Sequence, residues 1–394
     1  MSEFQASNFI KENGGTPDLL GKTELTSPYF FVPPSGTTAE RPESCAAGTL
    51  RFNTDVGTLE IYRGDTSGGE FIQKREGQYL GDTIYETDNG SVSGNGTRAL
   101  AFGGSTPSTS TNVINYLTIE VLGNAQDFGD LATAENSMGA IADSTRMLSI
   151  GGDSAHPGHV NTIAKITIST KGDSTDFGDT TDDCARHPYS GGDKTRGVYG
   201  GGGTPSNTNT LEYITIQSEG NGQNFGDLVY SGQFRRGNAG SSTRGIVMGH
   251  YSPSDPNRDG HANLNYIEFL TFATTGDAQD FGDLTTTGSD MTSTSNCIRA
   301  LRIGKWPTND TVDYVTIATL GNAVDFGNMN AQAYHTSAAT NPTRAVKLGG
   351  NNPAGATNEC EFFTIMTTGN GQDFGDLAYS ARGLGANSNG HGGL

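Results

Sequence analysis

Three stretches decide the fold: Thr97-Arg98-Ala99-Leu100-Ala101-Phe102-Gly103-Gly104, then Asn115-Tyr116-Leu117-Thr118-Ile119-Glu120-Val121, then Gln126-Asp127-Phe128-Gly129-Asp130-Leu131. The middle stretch alternates in polarity as a half-buried strand does. The glycine pair allows backbone conformations closed to other residues and suits a sharp strand exit. Each stretch reads as one short strand, and the three occur six times along the chain.

Arginines recur at Arg98, Arg146, Arg196, Arg244, Arg299 and Arg344. Strand threonines follow at Thr118, Thr167, Thr215, Thr271, Thr316 and Thr364, and phenylalanines at Phe128, Phe177, Phe225, Phe281, Phe326 and Phe374. Threonine to phenylalanine is always 10 residues, and phenylalanine to the next arginine is 18 or 19. Arginine to threonine varies from 17 to 27, so insertions are confined to one loop type. Two rigid intervals and one elastic one are the mark of stacked repeats. A fourth strand falls between units, as at Asn136 to Ala142. Four short antiparallel strands repeated radially predict an all-β, six-bladed β-propeller.

The chain ends bear on closure. Leu80-Gly81-Asp82 lies 18 residues before Arg98, and a further first-strand segment follows Phe374. Either could complete the ring. The expected organisation is an N-terminal arm at 1–33, a β-hairpin module at 34–79 and the propeller at 80–394.

Composition agrees with this class. Glycine, at 57 of 394 residues, is about twice as common as usual. No long 3.6-period apolar stripe is present. The net charge of −19 argues against nucleic acid as a partner, because a phosphate backbone needs a cationic surface. No secretory signal opens the sequence and no run approaches the length of a membrane span, so no membrane insertion is expected. Cys45, Cys184, Cys297 and Cys360 share no short spacing, which points to free and mostly buried thiols.

Over 80–394 the repeat resembles kelch-like propellers. The shared elements are the Gly-Gly exit, the third-strand aromatic (Tyr116, Tyr213, Phe269, Tyr314, Phe362) and a fourth-strand ring residue. Phenylalanine stands where kelch has tryptophan, and Lys165 stands where one aromatic belongs. The wording Thr-Arg-Gly, Tyr-Ile-Thr-Ile and Asp-Phe-Gly-Asp-Leu is similar to repeat proteins of marine phages, cyanophages among them. Independently, Pro34 to Pro42, Ala47 to Thr54 and Gly57 to Tyr62 resemble a β-hairpin module of phage tail-fibre and other virion proteins. The hairpin carries Leu50, Phe52, Leu59 and Ile61 on one face. A two-stranded hairpin is barely stable alone and needs something to pack against.

These resemblances imply a virion structural or appendage protein, such as a tail fibre, assembled in the host cytoplasm and displaying the propeller. They imply attachment to other virion proteins through the N-terminal region, with Tyr29, Phe30, Phe31, Phe52 and Ile61 as docking residues, and a homo-oligomer. The expected activity is non-covalent binding of a host surface glycan or protein, or of neighbouring virion subunits. A purely architectural decoration or adaptor is the alternative, and a sialidase-like glycan hydrolase a more remote one.

Catalytic motifs are missing, so no enzyme, metal or cofactor is expected. The Asp-Phe-Gly-Asp turns invite calcium, and Ser174 to Thr180 approximates a sialidase Asp box. Both read more simply as turns in which Asp caps amides, Gly bends the chain and Phe fills the core. The six arginines recur too regularly to be a carboxylate-binding triad, and pairing with a neighbouring blade's aspartate is expected. His156, His159, His250 and His261 read as exposed loop histidines. The elastic loops should share one face, the candidate recognition surface. Its ligand-binding candidates are His156, His159, Tyr251, Arg258, His261 and Trp306.

Overall fold

The computed structural model describes residues 34–40, 50–54, 58–62, 71–73, 97–107, 109–154, 158–181, 188–203, 207–233, 237–252 and 262–394. The chain divides into two compact units, 1–93 and 94–394.

In the first unit Leu50–Asn53 and Thr58–Tyr62 form the hairpin, with Leu50 opposite Ile61 and Phe52 opposite Leu59. Phe71–Gln73 extends it antiparallel on one side, and Ser35–Gly36 adds a parallel strand on the other. Arg51 is the buried member, and its Nη2 donates to the Thr37 carbonyl at 2.8 Å. Leu50 and Phe52, on the opposite side of the pleat, are 39% and 37% exposed.

The second unit is a six-bladed β-propeller of small antiparallel sheets. The second blade shows the plan: Gly139–Ala142, Arg146–Ser154, Gly158–Thr167 and Thr175–Asp179, from the axis outward. Blade four departs from it, since its inner segment at 237–240 joins the next strand only through a Gly240–Gly245 bridge and an Ile246 N–H to Ala239 bond. Closure comes from the C-terminal end. Gly385–Ser388 pairs with Arg98–Phe102 and supplies the inner strand of blade one. The candidate strand near Leu80 lies outside the described residues, and the place it would take is filled.

The inner strands read Gly-Ala-Ile-Ala, Tyr-Ser-Gly-Gly, Thr-Ser-Thr-Ser, Ser-Ala-Ala-Thr and Gly-Ala-Asn-Ser, and all are buried. Mostly small side chains suit strands crowded about an axis. Their hydroxyls bind one blade to the next: Thr340 Oγ1 donates to Ser295 O at 2.8 Å, and Ser295 Oγ to Gly240 O at 2.6 Å. Ser190 Oγ accepts from the Ala140 N–H at 2.9 Å. Burial favours pairing of a hydroxyl, and for Thr340, Ser295 and Ser190 the partner is the neighbouring blade's backbone.

The apolar core is divided among the seams. One cluster joins Leu100, Phe102, Ile114 and Phe128 of blade one to Met138, Met147 and Ile166 of blade two. All six signature phenylalanines are buried. Five meet the third-strand aromatic edge-to-face at 5.9–6.3 Å, the geometry their quadrupoles favour. In the remaining blade Lys165 pairs instead with Glu219.

The signature glycine explains itself at Gly327. Its φ is +146°, and a Cβ there would lie 2.4 Å from the carbonyl oxygen of Gly369 in the next blade. Beside it the Gly369 N–H donates to Phe326 O at 2.8 Å, and the Asn328 N–H donates to Asn370 Oδ1 at 3.1 Å. The corresponding bonds occur at all six seams, ending with Gly123 to Phe374 O and Asp376 to Asn124 Oδ1. The capping side chain thus comes from the neighbouring blade's turn and not from the Asp-Phe-Gly-Asp signature itself. Each turn ties the outer strand of the preceding blade.

The arginines also serve the seams. Each donates through Nη1 to a carbonyl of the next blade: Arg98 to Ile168, Arg146 to Ile216, Arg196 to Phe272, Arg244 to Ile317, Arg299 to Ile365 and Arg344 to Ile119. The expected aspartate partners are therefore carbonyl oxygens. The third strand's exit leaves a carbonyl within reach, whereas the signature carboxylates belong to the outer strand. Each guanidinium also lies 4.5–6.0 Å from an aromatic centroid in its own blade.

Candidate functional site

The strand order fixes which residues share a face. Second strands begin, and third strands end, on one side of the disc, so the elastic loops all emerge on the other. The links from outer to inner strands emerge there too. At that exit each blade has a left-handed glycine five residues after its arginine: Gly103, Gly151, Gly201, Gly249, Gly304 and Gly349, with φ of 52–68°. This is the sharp exit the glycine-rich pairs predict.

At the axis, the Asn238 side chain reaches from blade four across to blades six and one, donating to Ala338 O at 3.2 Å and Ala386 O at 3.0 Å. About 20 Å³ of water-accessible space remains around it, room for a water molecule or so. The other end is filled by the C-terminal tail, where buried His391 Nε2 lies 2.7 Å from Ala142 O and the Gly392 N–H donates to Ser295 O at 2.9 Å. On the loop face the axis is therefore a shallow dimple.

Among the described residues three non-glycine residues have positive φ: Ser137 at 66°, Asp290 at 56° and His335 at 51°. All stand nine residues before a repeat arginine, at the rim of this dimple. Backbone bonds chain them together: His335 N–H to Asp290 O, Gly383 N–H to His335 O and Ser137 N–H to Gly383 O, at 2.8–3.1 Å. The chain of bonds runs through four successive blades, from blade five to blade two.

The loop-face candidates separate. His156, Arg258 and His261 lie outside the described residues. His159 stands opposite Asp153 in its hairpin, with Nδ1 2.5 Å from Oδ1, so it is a half-buried paired residue. His250, expected to be exposed, is buried with its ring stacked 6.0 Å from Tyr230, because strand two of this blade runs on through it. Tyr251 is half-buried, and its backbone pairs with Gln233. Trp306 is 45% exposed, and its ring lies 5.0 Å from Tyr334. Tyr334, His335 and Asp290 were not among the sequence candidates. For Asp290 and His335 the signal was the nine-residue offset from the arginines, which holds no shared residue type to catch the eye.

Of the attachment candidates, Tyr29, Phe30 and Phe31 lie outside the described residues, Phe52 is exposed, and Ile61 is placed only by its backbone. Ser174, in the Asp-box-like turn, is buried and accepts from the Ala132 N–H at 3.1 Å, a seam bond. Among the described residues no group of three or more His, Cys, Asp or Glu is placed to hold a metal ion. Of the cysteines, Cys297 is exposed and Cys360 buried. Both are free; the exposed one lies in the turn before a second strand, and Cys45 and Cys184 lie outside the described residues. Burial pushes the Cys360 thiol up to about 12.

The fold and this face define a six-bladed β-propeller with its variable loops gathered on one side. No protein-family model matches the chain, and no curated protein matches it.

Proposed function

We propose that the chain is a virion structural or appendage protein of a bacteriophage, a tail fibre or similar part, whose propeller binds non-covalently through its loop face. The observation that carries the binding reading is the confinement of all length variation to one face of a disc whose seams repeat bond for bond. Loops on a rigid scaffold can vary without disturbing the fold and are where recognition commonly resides.

The phage assignment draws on the N-terminal motif and the wording of the repeats. The exposed Leu50 and Phe52 support an attachment role, since adjacent apolar side chains left outward on a small sheet suit burial against a neighbouring subunit. The test is location. Purified particles should contain the chain by mass spectrometry, and antibody against the propeller should label them in electron micrographs. A chain found only in the soluble lysate, never in particles, overturns the reading. Labelled particles whose adsorption is unaffected by that antibody would favour the architectural alternative.

A further inference from the structure

We infer that Trp306 and Tyr334, with the Asp290–His335 pair beside them, form a binding site for a neutral pyranose sugar on the loop face. The inference rests on the reading that this face binds non-covalently, and it names the ligand class.

The first ground is rigidity. Trp306 is tied to Ser289 by backbone bonds in both directions, at 2.7 and 3.0 Å, and Tyr334 is tied to Asn351 in the same way. The Tyr334 hydroxyl accepts from Asn351 Nδ2 at 2.5 Å. His335 Nε2 lies 2.5 Å from Asp290 Oδ1, and the two side chains keep 20% and 10% exposure. A large indole on a backbone fixed in this way, packed on Tyr334 and 45% open to solvent, leaves apolar surface for a ligand to cover.

The second ground is broken symmetry. Seven residues after the repeat arginines stand Ser105, Asp153, Gly203, Tyr251, Trp306 and Asn351. Only at blade five does this position carry an indole. The neighbouring rim positions hold Asp290 and His335, where blades one and two have Gly383 and Ser137. A structural requirement recurs in every blade, as the arginines do, whereas this combination occurs at one seam.

The third ground is chemistry. A pyranose has a face of C–H bonds with slight positive character, matched to the negative face of an aromatic ring. Its hydroxyls need acceptors and donors beside that face; Asp290 Oδ1 and His335 Nε2 are buried against each other, so Asp290 Oδ2 and His335 Nδ1 are the atoms to meet them. The net charge of −19 disfavours acidic sugars, which makes the ligand neutral.

Trp306 is the one tryptophan in the chain, so its fluorescence reports this site alone. The full chain is titrated with maltohexaose, cellohexaose, laminarihexaose and chitohexaose, with sialyllactose as the acidic comparison. A saturable change in Trp306 emission is expected with at least one neutral oligosaccharide. By calorimetry Trp306→Ala and Asp290→Asn should each weaken that sugar about tenfold or more, while Val121→Ala, at an exposed position on the opposite face, leaves it unchanged. Unchanged emission with every neutral sugar, a response to sialyllactose alone, or equal affinity for folded Trp306→Ala overturns the inference. Should Trp306→Ala not fold, the wild-type titration and Asp290→Asn still decide. Particles that contain the chain while no sugar titrates would leave the virion reading standing and remove this one, and the converse result would do the reverse.

Discussion

Arg344 of the sixth blade donates to the carbonyl oxygen of Ile119 of the first at 3.0 Å, across 225 positions of sequence. The same guanidinium lies 4.7 Å from the centroid of Phe362, so one side chain both closes the ring and covers an aromatic of its own blade. Arg344→Met keeps the length and apolar stem while removing the charged donor. A hydrogen bond to a charged group contributes about 1.5–3 kcal/mol, and partial exposure places this one toward the lower end. Urea denaturation should show a loss of about 1–2 kcal/mol with an unchanged slope. A midpoint equal to wild type would mean that the seam bond is not stabilising.

Gly327 and Gly369 face each other across one seam but differ in what they tolerate. At Gly327 the φ of +146° and a backbone oxygen 2.4 Å from a Cβ both oppose a side chain, whereas nothing lies within 4 Å of a Cβ at Gly369. Gly327→Ala should therefore cost several kcal/mol, about 3 or more, or prevent folding. Gly369→Ala should stay within about 0.5 kcal/mol of wild type. Thermal melts of the two variants side by side check the contrast, and equal losses would show that the close approach does not matter.

The propeller was legible because its seams repeat. Constant spacings from Thr118 to Phe128, and their five copies, report backbone bonds that admit no insertion. The elastic interval reports loops that bear on nothing else. What stayed hidden were partners that spacing does not encode. The arginines looked fit for carboxylates, and only the path of the third strand shows why they meet carbonyls. The rim residues Ser137, Asp290 and His335 share a conformation and not a chemistry, so no residue pattern marked them. Trp306 was visible as a lone tryptophan, but Tyr334 and His335, which make it a candidate site, come from the next blade.

Arg302 and Asp313 form an ion pair between adjacent strands with no exposure of either side chain. Thr285 Oγ1 also donates to Asp313 Oδ1, at 2.7 Å, from the preceding blade. Removing one partner leaves a buried charge, which costs about 3–5 kcal/mol, while replacing both with apolar residues of similar volume is often neutral. Asp313→Leu should be strongly destabilising, and Arg302→Met combined with it should recover most of the loss. Chemical denaturation of the two singles and the double measures the coupling; simple additivity would contradict the pairing.

Cys297 is exposed and Cys360 buried, and burial raises the Cys360 thiol to about 12, so almost none of it is thiolate at neutral pH. Iodoacetamide should modify Cys297 in the native protein and reach Cys360 only after denaturation. Peptide mapping by mass spectrometry distinguishes the sites. Equal labelling of both without denaturant would contradict the burial of the blade-six core.

His391 links the axis to pH. The Gly393 N–H donates to its Nδ1 at 3.1 Å, so the ring hydrogen sits on Nε2 and is donated to Ala142 O at 2.7 Å. Both bonds fit the neutral ring, and a second proton would have to displace the first. Burial holds its pKa below the ordinary histidine value, against the milder pull of the Ala142 carbonyl, Asp143 and Asp193. In the unfolded chain the ring takes up its proton near pH 6.5, while in the folded chain it does so only at lower pH. Below about 6.5 the unfolded state therefore binds more protons, and stability falls with acidification through that window. Above it the contribution is complete and flat. His391→Gln has no titrating ring, so the gap between its melting temperature and that of wild type should be greatest near pH 8 and narrow toward pH 5. Carboxylates elsewhere act on both proteins and cancel in the difference. A gap that stays constant over that range would show that His391 does not govern the acid stability of the axial plug.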